Sequence, residues 1–72
     1  MTLHEAMIFI LQKNNGPMTP RQLSDAINAA KLYTRNDGRP VPPNQIGARA
    51  KNYPQLFEKK DIDGRVHFLL RK

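Results

Sequence analysis

The stretch that most constrains the fold is residues 41–54, VPPNQIGARAKNYP, which has prolines near both ends. Pro43 suits the first turn of a helix, where a missing N–H removes no intrahelical hydrogen bond. Pro54 disfavours helical geometry at the residue before it and so marks the end of the helix. The stretch therefore predicts one short helix that runs from residue 43 to residue 52 or 53.

The two faces of this helix differ in chemistry. At about 100° per residue, Ile46, Ala50 and Tyr53 fall on one face, which is the predicted buried side. The other face carries the candidate DNA-binding residues Asn44, Gln45, Ala48, Arg49, Lys51 and Asn52, with Arg49 at the boundary. Amide side chains can bond adenine edges, arginine can fork onto guanine, lysine can meet a phosphate, and a small residue permits close approach. Taken alone, the helix fits a solvated polar face equally well.

The net charge of +6 lies entirely in the second part of the chain. Residues 1–30 have two basic and two acidic side chains, whereas residues 31–72 have ten basic and four acidic ones. This asymmetry favours a polyanionic partner over charge that serves solubility alone. The candidate phosphate contacts outside the short helix are Arg21, Arg35, Arg39, Lys59, Lys60 and Arg65.

Two earlier helices are predicted from their caps and their apolar spacing. Thr2 and Glu5 have the spacing of a capping box, which begins a helix over residues 3–14. Thr19, followed by a proline, is a good N-cap for a second helix over residues 20–31. In both segments, apolar residues recur at the spacing of one buried helix face.

The chain after the short helix changes to strand periodicity. Apolar and polar residues alternate on both sides of Asp63-Gly64, which is a strong signal for a two-residue hairpin turn between strands near 56–62 and 65–70. Residues 1–72 are therefore predicted to form one α+β domain, a winged helix-turn-helix with three helices followed by a two-stranded β-hairpin wing. The predicted core consists of Leu3, Met7, Ile10, Leu11, Leu23, Ile27, Ile46, Phe57, Val66 and Phe68.

Three positions leave alternatives open. Ile8 and Phe9 do not fit the apolar stripe of the first helix, so they either meet the hairpin or form an exposed patch. Gly47 costs the short helix about 1 kcal/mol relative to alanine, which indicates close packing or close approach of a ligand.

The residue inventory argues against an enzyme. The chain has no cysteine, and His4 and His67 are its only histidines, with nothing to place them beside a nucleophile. Asp61 and Asp63 flank a tight turn, where acidic residues are usually turn formers rather than metal ligands. We therefore predict no catalytic residues, no metal site and no cofactor.

No targeting segment is apparent at the start of the sequence. The apolar run over residues 6–11 is too short to span a bilayer, and no basic region precedes it. The expected compartment is the cytoplasm, with nucleoid association if the source is bacterial, and no membrane partner is expected.

Several short motifs, in this order, resemble the HARE-HTH family. They are LHEA at residues 3–6, GPMT at 16–19, LY at 32–33, IGAR at 46–49 and GRVHFL at 64–69. The resemblance implies a winged-helix module of restriction-modification, RNA polymerase accessory and chromatin proteins, usually within a longer chain. It implies DNA binding through the exposed face of the third helix, although some members mainly contact proteins.

The chain departs from this family pattern in two places. Val41-Pro42 stands where a serine or threonine cap is commoner, so the third helix is expected to be less well capped. Lys31, rather than a glycine, precedes Leu32, so the exit from the second helix is expected to differ in shape.

The sequence thus predicts a DNA-binding winged helix, and the resemblance implies a part in transcription or restriction-modification. Its third helix would lie in the major groove of double-stranded DNA, and its basic hairpin wing would contact phosphates. The alternative is a protein-interaction winged helix that docks on a polymerase, nuclease or chromatin partner, with Ile8, Phe9 and Leu69 as anchors. Further domains of a longer protein are a third possible class of partner.

Overall fold

The structure, a computed structural model, describes residues 1–71. Its elements follow the order α1 (Leu3–Asn14), α2 (Pro20–Ala30), α3 (Pro43–Asn52), β1 (Phe57–Ile62) and β2 (Arg65–Leu70). The predicted order of three helices and a hairpin is confirmed. The second helix ends one residue earlier than predicted and the first strand begins one residue later.

Two of the three helices begin with a capping box. In α1, the Glu5 N–H donates to Thr2 Oγ1 at 3.3 Å and the Thr2 N–H donates to Glu5 Oε1 at 2.7 Å. The N–H and the hydroxyl of Thr2 lower the pKa of Glu5, because both donate to its carboxylate. In α2, Gln22 makes the same reciprocal pair with Thr19 at 3.0 and 3.1 Å.

The two expected departures from the family pattern have different outcomes: the poorer capping of α3 is confirmed, whereas the end of α2 keeps the left-handed conformation usual at a helix end. Pro42 stands at the N-cap of α3, and a proline side chain offers no hydrogen bond to the first turn. Lys31 takes the left-handed conformation that glycine usually supplies at a helix end, with a φ of 55°. Its N–H still bonds the Asn28 carbonyl at 3.3 Å, so the chain leaves α2 by a tight turn.

One core joins all three helices to the hairpin. Every predicted core residue is buried except Val66, which is half-buried because it lies on the part of β2 nearest the hairpin turn. The core also contains residues that were not predicted, of which Met18 and Val41 lie in connectors. The buried apolar residues are Leu3, Ala6, Met7, Ile10, Leu11, Met18, Leu23, Ile27, Val41, Ile46, Ala50, Phe57 and Phe68.

The hairpin has the predicted two-residue turn. Asp63 and Gly64 both have positive φ, 53° and 78°, which is the conformation of a type I′ turn. Strands β1 and β2 pair from Ile62 opposite Arg65 to Phe57 opposite Leu70. A further antiparallel bridge joins Met18 to Phe68, through hydrogen bonds of 2.9 and 2.7 Å.

The two apolar residues that did not fit the stripe of α1 behave differently. Ile8 is half-buried and packs against the core, whereas Phe9 keeps 40% of its surface exposed. The Lys13 ammonium lies 5.6 Å from the centre of the Phe9 ring, where it covers part of that apolar surface. Within residues 1–71, no helix combines the length and the apolar character needed to cross a bilayer.

Candidate nucleic-acid interface

The inner face of α3 is fixed against the core. Ile46 and Ala50 are buried, and Tyr53 stacks on His4 with ring centres 4.2 Å apart and ring planes 24° apart. Asn28 of α2 holds the connector just before α3, because its side-chain amide bonds both backbone polar groups of Val41. These contacts orient the helix so that its predicted polar face points outward.

The outward residues of α3 divide into two sides. Ala48 is exposed near the middle, and Asn44 and Lys51 lie on the side that faces the hairpin. On the other side, Gln45 is half-buried and lines a shallow cleft with the connector residues Tyr33, Arg35, Asn36 and Asp37. Arg49 is also half-buried, while Asn52 is exposed. The six candidate residues therefore do not form one uniformly exposed face.

A groove separates α3 from the hairpin. Its volume is about 550 Å³, and Gly47 and Ala48 of α3 face Val66 and Phe68 of β2 across it. Apart from its chain neighbours and the backbone of its own helix, no atom of residues 1–71 lies within 4 Å of a Cβ built on Gly47. Of the two explanations for this glycine, close packing within the described chain is therefore wrong, and the groove in front of it is open.

The basic residues of the hairpin lie on different faces. Directly paired residues share a face of the sheet, and neighbours along a strand alternate between faces. Lys59 therefore shares a face with Phe68 and lines the groove together with Lys51 of α3. Lys60 and Arg65 project from the opposite face. Lys59, Lys60 and Arg65 were predicted to form one basic surface of the hairpin. Alternation along the strands instead places Lys59 on one face of the sheet and Lys60 and Arg65 on the other.

The remaining candidate phosphate contacts lie near acidic side chains. Arg21 Nε is 3.7 Å from Asp25, and both side chains are mostly exposed. Arg35 is 3.1 Å from Asp37, which also accepts a hydrogen bond from the Arg39 backbone N–H at 3.0 Å. These acidic neighbours reduce the positive charge that Arg21, Arg35 and Arg39 offer to a polyanion. Lys51 and Lys59 instead line the groove beside the outer face of α3.

Some residues of this surface were not predicted from the sequence. Pro20 at the start of α2 and Pro43 at the start of α3 both line the groove. Val66 was predicted to lie in the core, but it is half-buried and lines the groove. The sequence signal for its partial exposure was its position only two residues from the hairpin turn. The stacking of His4 on Tyr53 had no sequence signal, because it joins the two ends of the helical segment.

The described residues contain no group of three His, Cys, Asp or Glu side chains that could hold a metal ion. Comparison with protein-family models, with curated proteins and with solved structures finds no match to this chain. The HARE-HTH resemblance therefore stays a prediction.

Proposed function

We propose that this domain binds double-stranded DNA, with α3 in the major groove and Lys59 of the hairpin over the phosphate backbone. The observation that carries the proposal is the outer face of α3, where a small residue, Ala48, stands between exposed amide side chains and a lysine. Such a face allows close approach to base edges and offers donors and acceptors that match adenine. The net charge of +6 adds long-range attraction to a polyanion.

The candidate residues take different roles in this arrangement. Asn44 and Asn52 are the exposed amides, and we assign them to base edges. Lys51 and Lys59 are assigned to phosphates, because a flexible ammonium acts as a point charge and carries little base information. Gln45 and Arg49 are half-buried, so they reach bases only at the connector side of the helix. In this proposal the domain binds DNA and does not catalyse a reaction. It acts in transcription or restriction-modification, in the cytoplasm or at the nucleoid.

The test is fluorescence anisotropy with mixed-sequence duplexes over a range of salt concentrations. If about four phosphates are neutralised, log K falls against log salt with a slope of about −3.6. Lys59→Glu is expected to weaken binding to all sequences alike. Lys60→Glu is the matched control, since it makes the same charge change at the next residue on the opposite face of the hairpin.

Two results would overturn the proposal. One is the absence of detectable binding to any duplex at low salt. The other is an equal loss of affinity for Lys59→Glu and Lys60→Glu, which would mean that only the net charge of the domain matters.

A further inference from the structure

The groove between α3 and the hairpin has a lining that is mainly apolar. Its walls include Pro20 and Pro43 on the helical side and Val66 and Phe68 on the strand side. Gly47 leaves additional space on the groove side, because no described atom outside its own helix lies within 4 Å of the position that a Cβ would occupy. The groove is open to solvent and has a volume of about 550 Å³.

Duplex DNA alone does not account for such a groove. The phosphates are charged, and base edges in the major groove present mainly hydrogen-bonding groups, with the thymine methyl as their apolar projection. A methyl group is far smaller than the groove. Side chains such as leucine or phenylalanine have the size and chemistry to fill it, and an amphipathic helix presents several of them along one face.

The charge at the edge of the groove selects among protein partners. Lys51 stands on the helix side and Lys59 on the strand side, and no acidic residue is among the residues that line the groove. Both lysines are exposed at this edge. A partner that places apolar side chains in the groove therefore meets two ammonium groups at its border, and carboxylates would match them.

We infer that this groove docks an acidic amphipathic helix of a protein partner, with its apolar side chains between Gly47 and Phe68 and its carboxylates at Lys51 and Lys59. Docking of such a helix excludes DNA from the same domain, because Asn44, Ala48 and Lys51 belong to both surfaces. Only this competition rests on the proposed DNA binding; the docking itself does not.

The probe is an end-capped peptide of glutamate in which leucines recur at alternating spacings of three and four residues, so that they form one face of a helix. Its control has alanine in place of each leucine and the same charge. Peptide is titrated into the isotope-labelled 72-residue chain while amide chemical shifts are recorded. We expect saturable shifts at Gly47, Ala48, Val66 and Phe68 with the leucine peptide and no saturation with the alanine peptide.

Two pairs of variants test the geometry of docking. Gly47→Leu fills the groove from α3 and should weaken peptide binding about tenfold or more. Its control is Ala29→Leu, which adds the same side chain at an exposed position of α2 that does not line the groove. Lys59→Glu should weaken peptide binding, whereas Lys60→Glu should leave it nearly unchanged.

The possible outcomes separate this inference from the proposed function. Shifts that map away from the groove, equal binding by Gly47→Leu and wild type, or no saturation up to about 1 mM leucine peptide would overturn the docking. If the peptide binds and no duplex does, the docking stands and the proposed DNA binding fails. If duplex DNA binds, shifts the same groove amides and the peptide does not bind, the groove belongs to the DNA interface.

Discussion

Asn28 and Val41 exchange two hydrogen bonds, although they are 13 residues apart in the chain. Asn28 Nδ2 donates to the Val41 carbonyl at 3.1 Å, and the Val41 N–H donates to Asn28 Oδ1 at 3.0 Å. The side-chain amide thus pairs with the backbone as a neighbouring strand would. Because Val41 is buried and α3 begins two residues later, this pair fixes where the candidate interface starts.

Replacing Asn28 by aspartate should therefore destabilise the domain. The change removes the donor to the Val41 carbonyl and puts a carboxylate oxygen beside it, at an expected cost of about 1–3 kcal/mol in the free energy of unfolding. Chemical denaturation of the variant measures this cost. Asn36→Asp, in the exposed connector turn, is the control, and equal midpoints for the two variants would mean that the pair contributes little.

Replacing Gly47 by alanine should stabilise the domain by about 1 kcal/mol, because alanine favours the helix interior and its methyl group would meet open space. Gly64→Ala should instead destabilise it, because the hairpin turn requires a φ of 78° there. Thermal melting of both variants checks the pair. A lower melting temperature for Gly47→Ala would show that the space in front of α3 is occupied in solution.

Truncating Ile27 to alanine should cost about 2–5 kcal/mol, since the side chain is fully buried between the helices and a cavity would remain. A loss of this size is a large part of the stability of a small domain. Ile62→Ala, on the outer face of the hairpin and only half-buried, should cost clearly less. Denaturation curves that rank the two variants in the opposite order would contradict the assigned core.

The capping box of α1 should make stability depend on pH. The pKa of Glu5 is lower in the folded chain than its ordinary value of 4.5, because Thr2 donates to the ionised carboxylate. The stabilisation is fully present above that ordinary value and is lost as the pH falls through the lower, folded-state pKa. Glu5→Gln keeps a capping side chain but cannot titrate, as Gln22 already does in α2.

The measurement is the difference in unfolding free energy between wild type and Glu5→Gln as the pH is lowered. This difference cancels the titration of the other carboxylates. Relative to the variant, wild type should lose stability as the solution becomes acidic. A difference that stays constant across the acidic range would mean that the Thr2 contacts do not persist in solution.

If α3 binds DNA as proposed, amide and lysine variants should have different effects. Asn44→Ala should reduce preference among duplexes by about 1–3 kcal/mol per lost bidentate contact. Lys51→Ala should lower affinity evenly and reduce the salt slope by about one contact. Selection from a random duplex pool with wild type and both variants distinguishes base reading from backbone contact, and a wild type that enriches no motif would remove the base-reading role.

Local signals explain how much of the fold was predictable. Caps at Thr2 and Thr19, prolines around α3 and the Asp63-Gly64 turn each act over a few residues, so element bounds follow from the sequence within about two residues. The burial of Met18 and Val41 has no such signal, since connectors lack periodicity. Their positions depend on Phe68 and Asn28, which are distant in the chain.

The candidate site was less predictable, because it too depends on contacts between residues that are distant in the chain. The polar face of α3 follows from helical spacing alone, and its exposure at Asn44, Ala48 and Lys51 is confirmed. The groove depends on how α3 and β2 are placed against each other, which no local pattern specifies. Once the hairpin register was known, alternation along β1 was enough to separate Lys59 from Lys60.

The bridge between Met18 and Phe68 has a consequence for how copies of this domain behave at high concentration. It covers part of the outer edge of β2, whereas within residues 1–71 no strand or bridge pairs with the outer edge of β1. Four consecutive charged residues, Glu58 to Asp61, occupy that strand and oppose edge-to-edge aggregation. Charge reversals at Lys59 and Lys60 keep these positions charged and so preserve this protection. Apolar replacements would weaken it, and a measured loss of binding could then reflect aggregation of the protein.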